Sequence, residues 1–511
     1  MLCLSLLIVF VGNSSLNVTL PTLSRELLAS TSELQWVVAI YSLVFAGLLF
    51  TTGALGDRYG RKGALQLGLL LFLVAAGLAT LSTAMWQLIA CRAVMGAAAA
   101  LIMPSTLSIL INVFPLHERA KAIAIWASFT GAAGAIGPVV SGWLLGHFWY
   151  GSVFLVNVPI IVVALVAGVF LVPRSKDPKE AALDPVGAIL SIIGIVALVY
   201  ALIEAPDKGW TSTVTLGAFA LSAVVLFIFA LWELRVKEPM LDIRFFRNPS
   251  FSVGTGGMIL VFLGMYGVLF LITQYFQLVL GLDPLQAALR TLPMSPIMLI
   301  VAPRTPRITA RFGASRTVGA GMILVAIGLL GFAGIGLHTA YPYIFACLTP
   351  FVVGLALSMS PMTSAIMSAV PARRAGAGSA MNDAARELGA ALGVAILGSI
   401  AASKYADKLS RLVVALPSAS RQDARSSLTG ALDVAGRLPA ATGKALQHGA
   451  KVAFLDGMQL ACIVGSVLAF IAAGVVVRYL PRQIPGASAV EPVDEADEVG
   501  MSDVGIALAR E

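Results

Sequence analysis

Charge is scarce in this chain. Only 12% of its 511 residues are Asp, Glu, Lys or Arg, against about a quarter in a soluble domain, while 58% are hydrophobic and mean hydropathy is +0.91. So few charges cannot solvate the surface of a long chain, which excludes a water-soluble globule and implies a membrane protein. Cysteine is scarcer still. Cys3, Cys91, Cys347 and Cys462 all lie in apolar stretches, as small buried hydrophobes do, which argues against a disulfide framework or a zinc cluster. The four histidines, His117, His147, His338 and His448, are not at ligand spacing, so no metal is expected. The sequence has no G-x-x-x-x-G-K-[ST] loop to drive work with ATP, no H-E-x-x-H and no G-x-S-x-G. Neither an enzyme nor a cofactor is expected.

What is present is apolar length. A spanning helix needs roughly 20 apolar residues, and fourteen candidates meet that measure, near 2–22, 35–55, 64–84, 87–111, 122–146, 152–172, 186–205, 213–233, 252–280, 286–303, 317–337, 341–365, 380–402 and 454–478. The first resembles a signal peptide, yet it lacks a basic leader and a small-residue cleavage pattern, so it is read as span one. A basic cytoplasmic stretch is expected ahead of Met1, and the start codon reads as late. The formal charge of +8 does not point to nucleic acid, because the bases fall in short loops between spans, where they set orientation. With the amino terminus inside, the inner loops hold Arg58/Arg61/Lys62, Arg119/Lys121, Arg174/Lys176/Lys179, Arg235/Lys237/Arg244/Arg247, Arg304/Arg307/Arg311/Arg316 and Arg373/Arg374; the short outer loops hold little beyond Arg25 and Lys208. That asymmetry predicts a multi-pass protein of the plasma or inner membrane with both termini cytoplasmic.

Residues 404–451 form a long outer segment in which Leu409, Leu412, Val413 and Leu416 recur at helical spacing. An amphipathic helix on the outer surface and a disordered loop are both compatible with it. Beyond Arg482 the tail is acidic, with Glu491, Asp494, Glu495, Asp497 and Glu498, and is expected to be disordered. The expected organisation is an N-terminal six-helix bundle over 1–172, a linker with two helices over 173–250, a C-terminal six-helix bundle over 251–480, and a tail over 481–511.

Between spans two and three stands Gly53-Ala54-Leu55-Gly56-Asp57-Arg58-Tyr59-Gly60-Arg61-Lys62. Its glycines allow a tight turn, and a topology signal alone needs neither Asp57 nor fixed glycine spacing. The run resembles the G-x-L-x-D-R-x-G-R-K loop of the major facilitator superfamily. Arg311-Phe312-Gly313 echoes Arg58-Tyr59-Gly60 at the corresponding place of the second half, as parallel six-helix repeats would. Fourteen spans are similar to the drug/proton antiporter branch. The resemblance implies an all-α membrane fold of two six-helix bundles plus two additional helices, with this loop as a conformational latch.

Other motifs fit the resemblance with departures. Arg92, in Arg92-Ala93-Val94-Met95-Gly96 of span four, would cost roughly 2.5–3.5 kcal/mol at mid-membrane unless compensated. The run is similar to the superfamily's R-x-x-x-G motif, whose arginine is implicated in proton coupling; backbone carbonyls of a neighbouring helix are the alternative partners. In span five, Gly131, Gly134, Gly137-Pro138, Gly142 and Gly146 leave one helix face nearly bare, so that two helices can approach. This resembles the antiporter motif G-x-x-x-G-P-x-x-G-G, although Gly134 lies three residues before Gly137 and Ser141 replaces a glycine. Asn17-Val18-Thr19-Leu20-Pro21 resembles the N-V-A-L-P run of the branch. There an aspartate usually stands five residues before the asparagine, and here that place is Gly12.

Span thirteen offers a substitute acid. In Asn382-Asp383-Ala384-Ala385-Arg386-Glu387 two carboxylates lie one turn apart with an arginine beside them, and Asp383 is about 13 Å in from Arg374. Burial opposes ionisation and the arginine supports it, which suits a proton-coupling group as well as a self-satisfied ion pair. Asn17, Tyr41, Tyr266, Gln274, Tyr275 and Asn382 are candidates for a weakly specific cavity. Gln277, Trp36 and the methionines Met359, Met362 and Met367 could join them, Trp36 being equally suited to an interfacial belt. Glu204, Glu233 and Asp456 lie near span ends, where they can snorkel to the interface.

The expected function is proton-coupled export of hydrophobic, cationic drugs or toxic small molecules. A dedicated exporter of a metabolite, siderophore or lipid is the alternative, and a non-transporting receptor or scaffold the alternative of another class. The partners are then the substrate, protons and the bilayer, with a monomer as the expected state.

Overall fold

The computed structural model describes residues 1–173, 184–237, 239–371, 375–414 and 416–483. Every regular element among them is helical. The first bundle comprises α1 (Leu2–Glu26), α2 (Thr31–Tyr59), α3 (Arg61–Thr80), α4 (Met85–Val113), α5 (Leu116–His147) and a sixth passage made of α6 (Ser152–Leu155) and α7 (Asn157–Leu171). The inserted pair is α8 (Pro185–Lys208) and α9 (Thr213–Arg235). The second bundle begins with α10 (Pro249–Gln274), extended by a π-turn over Tyr275–Val279. It continues through α11 (Pro284–Thr291), α12 (Met294–Val301), α13 (Thr305–Phe312), α14 (Ala314–Phe332), α15 (Tyr341–Ser368) and α16 (Ala375–Leu412), and, after two short helices, α19 (Ala440–Tyr479). Thirteen passages among the described residues are long and apolar enough to cross a membrane; α5, with 32 residues, stands between the fourth and fifth of them. The arrangement accommodates the fourteen spans expected.

Local chemistry explains the breaks. Ser30 and Glu33 form a reciprocal capping box at the start of α2, which satisfies otherwise orphaned N–H groups. Asp184, Asn248 and Asp283 cap α8, α10 and α11, each followed by a proline at the first helical position, where its missing N–H has no consequence. Span ten is expected as one helix and is instead a chain of short ones, because Pro293, Pro296, Pro303 and Pro306 recur through it and each removes a ladder donor. On α3, Leu67, Leu70, Val74 and Leu78 are all exposed along one stripe. In water such a stripe would be costly; in a bilayer it is the lipid-facing surface.

The segment between α16 and α19 differs from both expectations. Instead of a surface helix or a disordered loop, α16 continues to Leu412, α19 starts at Ala440, and α17 (Ser418–Ser426) and α18 (Leu428–Gly436) fold between them. Leu409 and Val413 are fully buried. The Tyr405 hydroxyl lies 2.8 Å from Ala424 O and 3.0 Å from Ser427 O, fastening α17 and α18 to α16. The acidic stretch beyond 483, and the loop bases Arg174, Lys176, Lys179, Arg373 and Arg374, lie outside the described residues.

The bundles meet mainly towards one face. Gln277 Nε2 donates to Val18 O (2.8 Å), Gln35 Nε2 to Val394 O (3.0 Å), and Thr31 Oγ1 to Ser426 O (2.9 Å). These contacts lie on the side of the α1–α2 turn, away from the face that carries the turn at Gly60. The inserted helix α8 packs on both α2 and α16, through a cluster of Ala39, Leu43, Val199, Ile203, Ala391 and Ala395.

Candidate functional site

The glycine-punctuated turn is built as its sequence requires. Gly60 has φ +119°, a conformation that a side chain would strain, and it ends α2 while starting α3. A Cβ on Gly56 would stand 3.5 Å from both Ala64 and Ser105, and one on Gly53 3.7 Å from Pro104, so α2, α3 and α4 converge there. Asp57 Oδ1 accepts from Arg61 Nε at 2.7 Å, and Lys62 Nζ donates to Val169 O at the end of α7 at 2.7 Å. The Arg58 guanidinium stacks 5.6 Å from the Tyr59 ring. The echo in the second half is structural as well: Gly313 has φ +86°, and Arg311 lies 5.4 Å from the Phe312 ring.

Arg92 is wholly buried, and its charge is met without a carboxylate. Nε donates to Val37 O (3.1 Å), Nη1 to Gly12 O (3.2 Å) and Nη2 to Asn13 Oδ1 (3.1 Å), while the Tyr41 ring lies 4.2 Å beneath the guanidinium. Hydrogen bonds to a charged donor contribute about 1.5–3 kcal/mol each, enough together to offset the insertion cost. Gly12 therefore supplies a carbonyl where an acid would sit. A Cβ there would already stand 3.1 Å from Phe72 Cζ. Asn13 carries the network across the bundle interface, since its Nδ2 lies 3.4 Å from the Tyr266 hydroxyl on α10.

The charges of span thirteen stand on α16 opposite this network. Asp383 pairs with Arg386 at 3.7 Å, their side chains 20% and 22% exposed, and Arg386 lies 5.0 Å from the Phe262 ring. Asn382 bonds Thr363 at 2.9 Å and Asp383 at 3.4 Å. Glu387 is buried at 8% exposure. Its Oε2 has no hydrogen-bond partner, and Ser42 of α2, Arg386 and Arg92 are the groups that favour its ionised form. Reached from the Gly60 face, Asp383 comes first and Glu387 one turn deeper.

The small residues of α5 do not share one partner. A Cβ on Gly137 would collide with Ser14 of α1 at 2.1 Å, where Ser15 Oγ donates to Gly137 O at 3.3 Å. One on Gly142 would press on the α11 backbone, 2.8 Å from Leu285 Cα and from Pro284 O. Gly134 and Gly146 meet nothing within 4 Å, and Pro138 sits inside the helix. The bare face thus resolves into one contact within the bundle and one between bundles.

The cavity candidates separate as well. Tyr41 and Tyr266 belong to the Arg92 network, and Asn382 to the Asp383 group. Asn17 is buried with Oδ1 unpartnered. Gln274 donates to Phe270 O in its own helix, and Tyr275 to Gly336 O, so each has a partner within the protein. Trp36 has its partner within the protein: its Nε1 donates to Glu204 Oε1 at 3.2 Å, drawing α8 against α2. Glu204 accordingly pairs with Lys208 at 3.0 Å. Glu233 does not snorkel but is 2% exposed. Asn13 and Ser42 were not anticipated; Asn13 lies one helical turn before Asn17, and that spacing was a usable signal.

A model of the Major Facilitator Superfamily matches residues 2–394. The chain is 36% identical over 476 residues to the multidrug efflux pump LfrA of Mycolicibacterium smegmatis, covering 93% of this chain and 94% of that protein. It is 35% identical to the methyl viologen resistance protein SmvA of Salmonella typhimurium (90% and 93% covered). It is 32% identical to the tetracenomycin C resistance and export protein of Streptomyces glaucescens (89% and 86%). Among solved structures, the inward-facing, unoccupied form of a bacterial homolog of the human lysosomal transporter Spinster superposes with a TM-score of 0.65 at 15% identity, covering 95% of this chain and 97% of that one.

Proposed function

The chain belongs to the Major Facilitator Superfamily, and from that membership we propose an exporter of drug-like small molecules that exchanges them for protons across the cell membrane. Export of toxic compounds is supported by relatives of nearly full length named for efflux and resistance. The single observation that carries proton exchange is the buried Glu387 carboxyl, its Oε2 without a hydrogen-bond partner, facing the Arg92–Asn13–Tyr266 network. An acid at that depth, one turn beyond the accessible Asp383, is suited to take a proton or the positive charge of a substrate. Tyr266 supplies an aromatic face for a hydrophobic cation, the Tyr41 and Phe262 rings being already engaged by Arg92 and Arg386.

In this reading both termini and the Gly60 turn are cytoplasmic, and the bundles are closed on the outer side through Gln277, Gln35 and Gly142. A proton reaches Glu387 from outside when that side opens and leaves through Asp383 when it is shut. Arg92 holds α1, α2 and α4 in register, the Asp57–Arg61 turn latches the inner ends of α2 and α3, and the Gly137 and Gly142 contacts set how the bundles close. Each elementary charge moved inward gains about 2.3 kcal/mol per 100 mV. The protein acts as a monomer.

The decisive experiment is drug-dependent proton release from purified protein, with Asp383→Asn and Glu387→Gln alongside. Release should vanish in Glu387→Gln and slow in Asp383→Asn; unaltered release in both removes the coupling assignment. A second reading, service to one dedicated compound, is favoured by the relative named for a single antibiotic. In everted vesicles it predicts that one ligand alone discharges the proton gradient.

A further inference from the structure

Two acids in the inserted helices take no part in that exchange. Asp184 caps α8 and is 7% exposed, and Glu233, near the end of α9, is 2% exposed. Asp184 Oδ1 accepts from Gly187 N (2.8 Å) and Trp232 Nε1 (3.0 Å), the same indole N–H also reaching Oδ2 at 3.2 Å, and Glu233 Oε2 accepts from Leu241 N (3.1 Å). Asp184 Oδ2 and Glu233 Oε1 converge. A Cβ on Gly187 would stand 2.5 Å from Asp184 Oδ2 and 2.7 Å from Glu233 Oε1, so only glycine leaves room for them. Both oxygens thus lie within 2.7 Å of one point, the two carboxyl groups act on each other electrostatically, and no N–H or O–H group meets Glu233 Oε1.

Two ionised carboxylates cannot share such a site, because like charges at this range repel strongly away from water. The charged groups around them are Arg235 on α9 and Lys237, Asp242 and Arg244 in the turn that follows. Arg244 Nη2 donates to Leu234 O at 3.4 Å, and no base among the described residues forms an ion pair with either acid. A divalent cation would need several more oxygen ligands, and of the other charged neighbours only Asp242 carries a carboxylate.

We propose that Asp184 and Glu233 form a one-proton site, the proton lying between Asp184 Oδ2 and Glu233 Oε1, that clasps the two ends of the inserted hairpin together. Through Glu233 Oε2 and Leu241 N, the clasp also holds the turn leading into α10, the first helix of the second bundle. Loss of the proton to water leaves two anions face to face and loosens that turn. The site answers to pH at the inner surface and is separate from the Glu387 path.

The test is thermal unfolding of the purified full chain across pH, with Glu233→Gln and Asp184→Asn, all in an Asp383→Asn/Glu387→Gln background that silences the other buried acids. Only the folded arrangement holds this proton, so stability is fullest at acid pH and falls as pH rises. The parent should lose roughly 2–4 °C of midpoint between about pH 5 and about pH 8. Glu233→Gln, whose amide donates the same hydrogen bond without titrating, should abolish the fall. Infrared spectra should show one protonated carboxyl in the parent that is missing in Glu233→Gln. Should Glu233→Gln fail to fold, Asp184→Asn provides the same comparison. A parent without the protonated-carboxyl band, or variants that keep the full pH dependence, overturns the proposal, as does a dependence on added Ca2+ in place of pH. Drug-dependent proton release is silenced in the background throughout, so this outcome is independent of the coupling assignment.

Discussion

Replacing Gly142 by alanine adds one methyl group where α5 meets α11 across the bundle interface. That methyl would lie 2.8 Å from Leu285 Cα and from Pro284 O and 3.0 Å from Leu285 N, whereas ordinary contact begins near 3.4 Å. Those neighbours are backbone atoms, which cannot swing aside as a side chain can, so the helices must separate by several tenths of an ångström. Overpacking of this kind costs about 1–3 kcal/mol. The cost falls only on the state in which the bundles touch there, so the equilibrium shifts roughly 5- to 150-fold towards the state in which they part. Spin labels at Trp143 and Leu289, both exposed beside the contact, would read the change as longer distances in pulsed electron resonance, after replacement of the native cysteines. Gly134→Ala, where the added methyl meets nothing within 4 Å, should leave the distances unchanged. If Gly142→Ala gives the parent distribution, the α5–α11 contact does not govern closure.

Arg92→Lys keeps the charge but cannot reach acceptors on α1 and α2 in the directions of a planar fork. With two of three charge-assisted bonds lost, at about 1.5–3 kcal/mol each, a large fall in the melting midpoint in detergent is expected; a fall under 1 °C would contradict the geometry. Gly60→Ala forces a side chain into φ +119° and should destabilise by about 1–3 kcal/mol, measured by the same melt. Gly63→Ala, three residues away in an open helical position, should be neutral or slightly stabilising.

Spans, turns and repeat were legible because they depend on local quantities: apolar length, proline position, and the backbone freedom that Gly60 and Gly313 provide. The charged residues were legible as to place but not as to partner. Asp383, Arg386 and Glu387 share a helix, so their spacing predicted their proximity. Arg92 finds its ligands on α1 and α2, 55 to 80 residues away in sequence, and no periodicity encodes that. Trp36 and Glu204 each looked like an interfacial residue; together they form a contact that exists only because α8 docks on α2. Glu233 near the end of α9 invited snorkelling, and only the fold discloses that Asp184 and Leu241 enclose it. Residues 404–451 misled because their mixed composition is that of a loop, while the side chains that bury it, among them Tyr405, Leu409, Leu428, Ala431 and Leu446, are spread over separate helices whose packing no single periodicity shows.

The docking of α8 has a mechanical consequence. Its contact with α2 and α16 at mid-height is made largely of alanines and short aliphatics, Ala39, Ala391, Ala395, Val199 and Ile203, a smooth surface on which helices slide by small shear steps without unlocking interdigitated side chains. At the end away from the Gly60 face the hairpin is pinned to both sides, by Trp36 to Glu204 and by Trp210 Nε1 to Ser403 Oγ at 3.1 Å. In the exchange proposed above, the inserted helix would act as a bearing fitted between two moving halves, with a catch at one end that must release on one side before the halves can turn.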